Sequence, residues 1–190
     1  MSKTYIEEQT FEKKDFTLQP LARADYEDCS FINCNFSGSE LSNINFSGCT
    51  FNGCNLGTAS VHNTTFSDVK FTGCKMLGLH FENCNTLLFS VYFEDCVANL
   101  CSFYQRNLKK TVFKNCSLQE VDFTEANLTG ATFANCDLNK ALFENSILEK
   151  ADFRTAYNYT IDPQFNKIKK ARFSATGLAG LLRKYDIEVD

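Results

Sequence analysis

The tightest constraint on this chain is a beat of five. From Phe113 a large apolar residue returns at every fifth position: Leu118, Phe123, Leu128, Phe133, Leu138, Phe143, Leu148. The same beat runs from Phe11 to Phe81 through fifteen centres and from Leu88 to Phe153 through fourteen. Sixteen of the nineteen Phe fall on it, in a chain only 44% hydrophobic. That period is neither the helical one of about 3.6 nor the strand one of about 2, so the chain reads first of all as a repeat.

With each centre called i, a small residue stands at i−2 and polar residues at i−1. Cys29, Cys34, Cys49, Cys54, Cys74, Cys96, Cys101, Cys116 and Cys136 all occupy i−2, and Cys84 joins them if the first register is carried on to Thr86. Residues two apart in an extended backbone point the same way, so i−2 and i both face inward. Position i+2 is rich in Gly and Asn, as at Asn33, Gly38, Asn43, Gly48 and Gly53, residues that tolerate corners. A very short strand followed by a corner, repeated, winds into a coil whose backbone groups pair with the coils on either side. The sequence has no C-x-x-C pair and no Cys/His cluster at zinc spacing, so the ten Cys read as reduced, small, buried hydrophobes.

This pattern resembles the pentapeptide repeat family, whose motif A/C-D/N-L/F-x-x matches most of residues 10–155. The resemblance implies an all-β fold, a right-handed quadrilateral parallel β-helix (a pentapeptide repeat solenoid) of about 20 residues per coil, with a short C-terminal helix. Columns test that period. Stacking i on i+20 gathers Phe11, Phe31, Phe51 and Phe71; a two-residue slip between Cys84 and Leu88 moves the register, and the column resumes at Phe93, Phe113, Phe133 and Phe153. A second column, on the next face, holds Cys34, Cys54, Cys74, Cys96, Cys116 and Cys136. About seven coils at ~4.8 Å make a rod of roughly 35 Å. Residues 1–10 are a lead-in, 11–155 the rod, and 156–190 an irregular last coil, a capping helix and a terminal strand.

The slip, residues 85–92, puts Phe89 and Tyr92 on outward positions, where they either fold back onto the coil or mark a partner site. In the tail, Thr176 can N-cap a helix over 177–185 that presents Leu178, Leu181, Leu182 and Tyr185, while Ile187 and Val189 alternate with Glu188 as in an edge strand. So apolar a tail either closes the rod or pairs with another copy. It is similar to the ending of the Qnr-type quinolone-resistance proteins, with Asp162-Pro163, Leu181-Leu182 and Ile187-Glu188-Val189 as the matching positions. The resemblance implies a homodimer through the C-terminus, with Leu178, Leu181, Leu182, Tyr185, Ile187 and Val189 at the interface.

No catalytic, cofactor or metal site emerges. His62 and His80 fall on outward positions without a recurring partner, and there is no P-loop, G-x-G-x-x-G or zincin motif. The expectation is a protein that is not an enzyme. A net charge of −4 argues against unaided binding to phosphate backbones. Without an apolar leader, or a run of about eighteen apolar residues, the expectation is a cytoplasmic protein with no membrane span.

Residues 1–155 hold 19 acidic against 13 basic side chains, and residues 156–190 hold 4 against 6. By resemblance to the quinolone-resistance proteins, such a rod would imitate duplex DNA and bind a type II topoisomerase, DNA gyrase or topoisomerase IV. Glu120, Asp122, Glu125, Asp137, Glu144, Glu149 and Asp152 would then supply the acidic face. Lys109, Lys110, Lys114, Lys140, Lys150 and Arg154 interrupt it, and the long projecting loops of Qnr proteins are missing. The alternative is a generic protein-interaction scaffold with another target.

Overall fold

The computed structural model describes residues 4–188. Strands β1 (Tyr5–Glu7), β3 (Asp25–Glu27), β5 (Asn45–Ser47) and β7 (Thr65–Ser67) pair in parallel into one sheet. Strands β2 (Thr10–Glu12), β4 (Ser30–Ile32), β6 (Thr50–Asn52), β8 (Val69–Thr72), β9 (Val91–Glu94), β10 (Val112–Lys114) and β11 (Thr132–Ala134) form a second. Two further sides are held by single parallel bridges, such as Asp15 to Asn35 to Asn55 and Ser102 to Asp122 to Leu142. The chain therefore winds as a four-sided parallel β-helix. Its sides carry, in chain order, Tyr26 (first), Phe31 (second), Phe36 (third) and Leu41 (fourth).

Partners lie 20 residues apart, as with Phe31 and Phe51, except across the slip, where Phe71 meets Phe93. Pairing begins at Tyr5, inside the stretch expected to be a lead-in, because Ile6 sits one beat before Phe11. At the far end Phe173 stacks on Phe153 and Arg172 bridges Asp152, so regular winding also outlasts residue 155.

Inside, the second side carries one unbroken ring column from Phe11 to Phe173, with successive centroids 4.7–5.4 Å apart. Phe31, Phe51, Phe71, Phe93, Phe113, Phe133 and Phe153 are buried, while Phe11, at the open end, is partly buried. A second aromatic column changes side at the slip. Before it, Tyr26, Phe46 and Phe66 line the first side; Phe81 just ahead of it and Phe103, Phe123 and Phe143 beyond it line the fourth, and Leu108, Leu128 and Leu148 take over the first. Each layer thus keeps a similar volume, and the rings of the two columns meet edge to face, as Phe93 and Phe103 do.

The i−2 column is also buried, from Cys34 through Cys54, Cys74, Cys96 and Cys116 to Cys136. It is not simply hydrophobic. The thiols of Cys34, Cys54 and Cys74 donate to the carbonyls of Phe11, Phe31 and Phe51 at 3.3 Å. Where the sequence places an oxygen or an amide instead, the bond is kept: Thr64 donates to Leu41, Ser146 to Phe123 and Asn166 to Phe143. Many inward i−2 positions thus take either alanine or a residue whose donor reaches a carbonyl of the preceding coil.

At the slip the two extra residues bow the chain outward. Leu88, expected as an inward centre, is 75% exposed and sits at φ +59°. The side chain that turns back in is the next one, Phe89, edge-on to Phe81. Tyr92 lies half-buried beside Lys70.

The C-terminal end is closed by short turns. Ser174, rather than Thr176, caps the first of them by accepting from the Gly177 amide, because the single turn starts earlier, at Ala175–Gly177. The α-helix proper, α1, spans only Ala179–Leu182 and continues as a tight turn over Arg183–Tyr185. Tyr159, next to the polar Asn158 that falls on the beat, is buried beneath this cap. Ile161 donates to the Gly180 carbonyl at 3.0 Å, and Lys184 pairs with Asp162 at 2.7 Å. Gly180 lies so close that a Cβ there would stand 2.5 Å from the Tyr159 carbonyl oxygen. The expected terminal strand does not form over residues 186–188, since Asp186 turns the chain at φ +49°. Val189 lies outside the described residues.

Candidate interaction surface

With rings and thiols filling the interior, only the four sides and the two ends are available for work. His80 and His62 do point outward; His80 is 2.8 Å from Glu82, two residues on. Among the described residues no group of His, Cys, Asp and Glu could hold a metal ion, and no helix is long and apolar enough to cross a membrane.

The seven acids expected to make one face do not share a side. Asp122, Glu125 and Glu144 belong to the fourth, Glu120 and Asp137 to the third, Glu149 to the first and Asp152 to the second. The cause is arithmetic: in a four-sided coil, residues five apart lie a quarter-turn apart, so proximity in sequence scatters charge around the rod.

On the second side charges neutralise one another. Glu94 lies between Lys114 at 2.7 Å and Lys70 at 3.2 Å, one coil away on either side, and the Lys114 ammonium, with help from Lys70, holds its carboxyl below the usual range. Asp152 is bound by Arg154 at 2.8 Å and Arg172 at 3.4 Å. The Arg154 guanidinium keeps its carboxyl low as well. This side is close to neutral.

The first side is different. Glu7, Glu8, Glu27, Asp28 and Asp68 stand before the slip, and Lys109, Lys110, Lys150, Lys167, Lys169 and Lys170 after it, all exposed. On the acidic half, the outer surface of the four-stranded sheet forms an open groove of about 590 Å³, ended by Tyr5 in the first coil and by Leu87 and Leu88 at the slip. Those two leucines are 72% and 75% exposed. A second groove, near the C-terminal end of the fourth side, is lined by Leu142, Glu144 and the 63%-exposed Phe165.

The slip also holds the chain's one buried arginine among the described residues. Arg106, 4% exposed, donates through Nη2 to the carbonyls of Cys84 and Asn85 and lies 4.7 Å from the Phe89 ring. Sequence reasoning missed it, although a charged residue at an inward i−2 position was a visible anomaly.

Of the residues expected at a C-terminal dimer interface, Leu178, Tyr185 and Ile187 are exposed, Leu182 is partly buried, and Leu181 packs against the core. The tail therefore spends part of its apolar surface on closing its own rod.

Against known proteins, a family model described as a pentapeptide repeat region matches residues 24–99 and 80–153, more than half of the chain. The chain belongs to the pentapeptide repeat family. No curated protein matches its sequence. Among solved structures it is similar to HetL, a pentapeptide repeat protein involved in heterocyst differentiation regulation from the cyanobacterium Nostoc sp. strain PCC 7120. The identity is 17% and the TM-score 0.52, over 90% of this chain and 84% of that one. It is also similar to a trypsin-treated form of QnrB1, a plasmid-mediated fluoroquinolone resistance protein, at 18% identity and TM-score 0.46 over 99% and 98%. At 17% identity the likeness to HetL is one of fold alone.

Proposed function

We propose that this pentapeptide repeat rod is a non-enzymatic protein-interaction scaffold that engages its partner along a side. What carries this reading is the division of labour in the coil: the interior is filled by stacked rings and hydrogen-bonded thiols, and the outward residues form straight ladders spaced by one strand. Asn63 bonds Asn43, Asn115 bonds Asp95 and Asn135 bonds Asn115 in this way, so the sides are ordered platforms. A partner is expected to bind one side only. Substituting three outward residues on one side at a time, and measuring binding of a captured partner to each variant, tests it. Equal binding by all four variants would remove the reading.

A second reading, that the rod imitates DNA and binds gyrase or topoisomerase IV, draws support from the 19 acidic against 13 basic residues in 1–155. The scatter of the acids over four sides weighs against it. Gyrase supercoiling and quinolone-stabilised cleavage, measured with micromolar protein added, decide the matter; no change in either excludes the reading.

A further inference from the structure

The slip divides the first side into matching halves. Ile6, Tyr26, Phe46 and Phe66 mark its coils before the slip, and Leu108, Leu128, Leu148 and Ile168 mark those after it. Leu87 and Leu88 therefore stand at its midpoint. Two such sides brought face to face in opposite directions are related by a two-fold axis across the rods, and that operation keeps each column opposite itself. The outward column at i+1 and i+2 then meets its own reverse. Glu7 and Glu8 face Lys169 and Lys170, Ser67 and Asp68 face Lys109 and Lys110, and Glu27 and Asp28 face Glu149 and Lys150. Between them the uncharged Ser47 and Gly48 meet Thr129 and Gly130.

We propose that this side is the contact surface for a second copy of the chain, packed antiparallel with the Leu87–Leu88 pairs meeting on the axis. Three observations support it independently of any target. Apart from Glu149, the outward charges at i+1 and i+2 are segregated by sign along the rod, whereas the second side intermixes and pairs its own. Among the described residues, Glu27, Asp28, Asp68, Lys109, Lys110 and Lys150 have no ion-pair partner within the chain. Finally, two adjacent leucines project into solvent at the midpoint. A strip ~38 Å long and about 10 Å wide buries roughly 760 Å² over both copies, below the ~1,200 Å² of a standard specific interface, so the dimer is weak and transient and its stability depends on charge.

Sedimentation of the full chain tests this. Dimers are expected at ~20 mM salt and monomers at ~500 mM, because exposed charge pairs are screened. Reversing Lys109→Glu and Lys110→Glu should weaken dimerisation by about tenfold or more at low salt, and adding Asp68→Lys should restore most of the loss. Glu120 and Glu125 already occupy corners like that of Lys110, at φ +56° and +57°, so the reversal leaves the fold intact, as circular dichroism would verify. A monomer at every salt concentration overturns the proposal. So does a dimer insensitive to salt, or one lost in Leu178→Glu but kept in the lysine reversal, which would place the contact at the C-terminus instead.

Discussion

The Arg106 guanidinium donates to the Cys84 carbonyl at 2.7 Å and so ties the two sides of the register slip together. Equivalent carbonyls, such as those of Cys34 and Cys54, accept a backbone amide from the next coil (Asn55, Lys75), and at Cys84 the arginine donates instead, with Phe89 against its face. Arg106→Met should keep the volume but leave the Cys84 and Asn85 carbonyls without their donor, at a cost of about 2–4 kcal/mol. Urea unfolding measures it. A loss under about 0.5 kcal/mol would mean that water satisfies the carbonyls and the arginine is incidental.

Phe113 stacks on Phe93 at 5.0 Å and on Phe133 at 5.1 Å and is wholly buried. Phe113→Ala should cost about 3–5 kcal/mol, since the rings on both sides are fixed and the gap cannot close. Phe11→Ala, at the half-open end, should cost visibly less. Equal losses in thermal unfolding would contradict the stacking argument.

Burial pushes the thiols of Cys49, Cys84 and Cys101 up to about 12. All ten thiols are buried and out of reach of a reagent, so none should react with a disulfide reagent near pH 8 while the chain is folded, and all ten should react in guanidinium. Rapid labelling of any thiol in the native protein would show that a coil opens.

Gly180 rests against Tyr159 with no room for a β-carbon. Gly180→Ala should lift the cap, expose the Tyr159 ring and cost roughly 1–3 kcal/mol. Hydrogen exchange should rise in residues 156–185 and stay unchanged in the middle of the rod. Uniform protection would argue that the cap is dispensable.

Acid should weaken the protein in a predictable direction. Lys114 holds Glu94, Arg154 holds Asp152 and Lys184 holds Asp162 below the ordinary carboxylate range. Groups depressed in the folded state add stability that is complete above their unfolded values, about 4, and is lost as pH falls through the lower folded ones. The melting temperature should therefore be flat from neutral pH to about 5 and fall below about 4, and Glu94→Gln should reduce that fall. A melting temperature that rises on acidification would contradict the pairing.

The sequence alone determined the coil, because the feature that builds it is local and repeated. A side chain five positions on is a quarter-turn on, so the beat of Phe and Leu, with Cys, Ala or Ser two residues earlier, dictates which atoms are inward wherever the beat holds. Only the tertiary structure decided what happens where the beat fails. It is the closed space inside the slip that turns Phe89 inward and Leu88 outward, and the unpaired Cys84 carbonyl that draws in Arg106. At the C-terminal end, contact with the last coil shortens the expected helix to Ala179–Leu182 and sets Tyr159 beneath it. The placement of charge was hidden for the same reason. Glu144, Glu149 and Asp152 are neighbours in sequence yet lie on three different sides, while Asp68 and Lys109, far apart in the chain, share one.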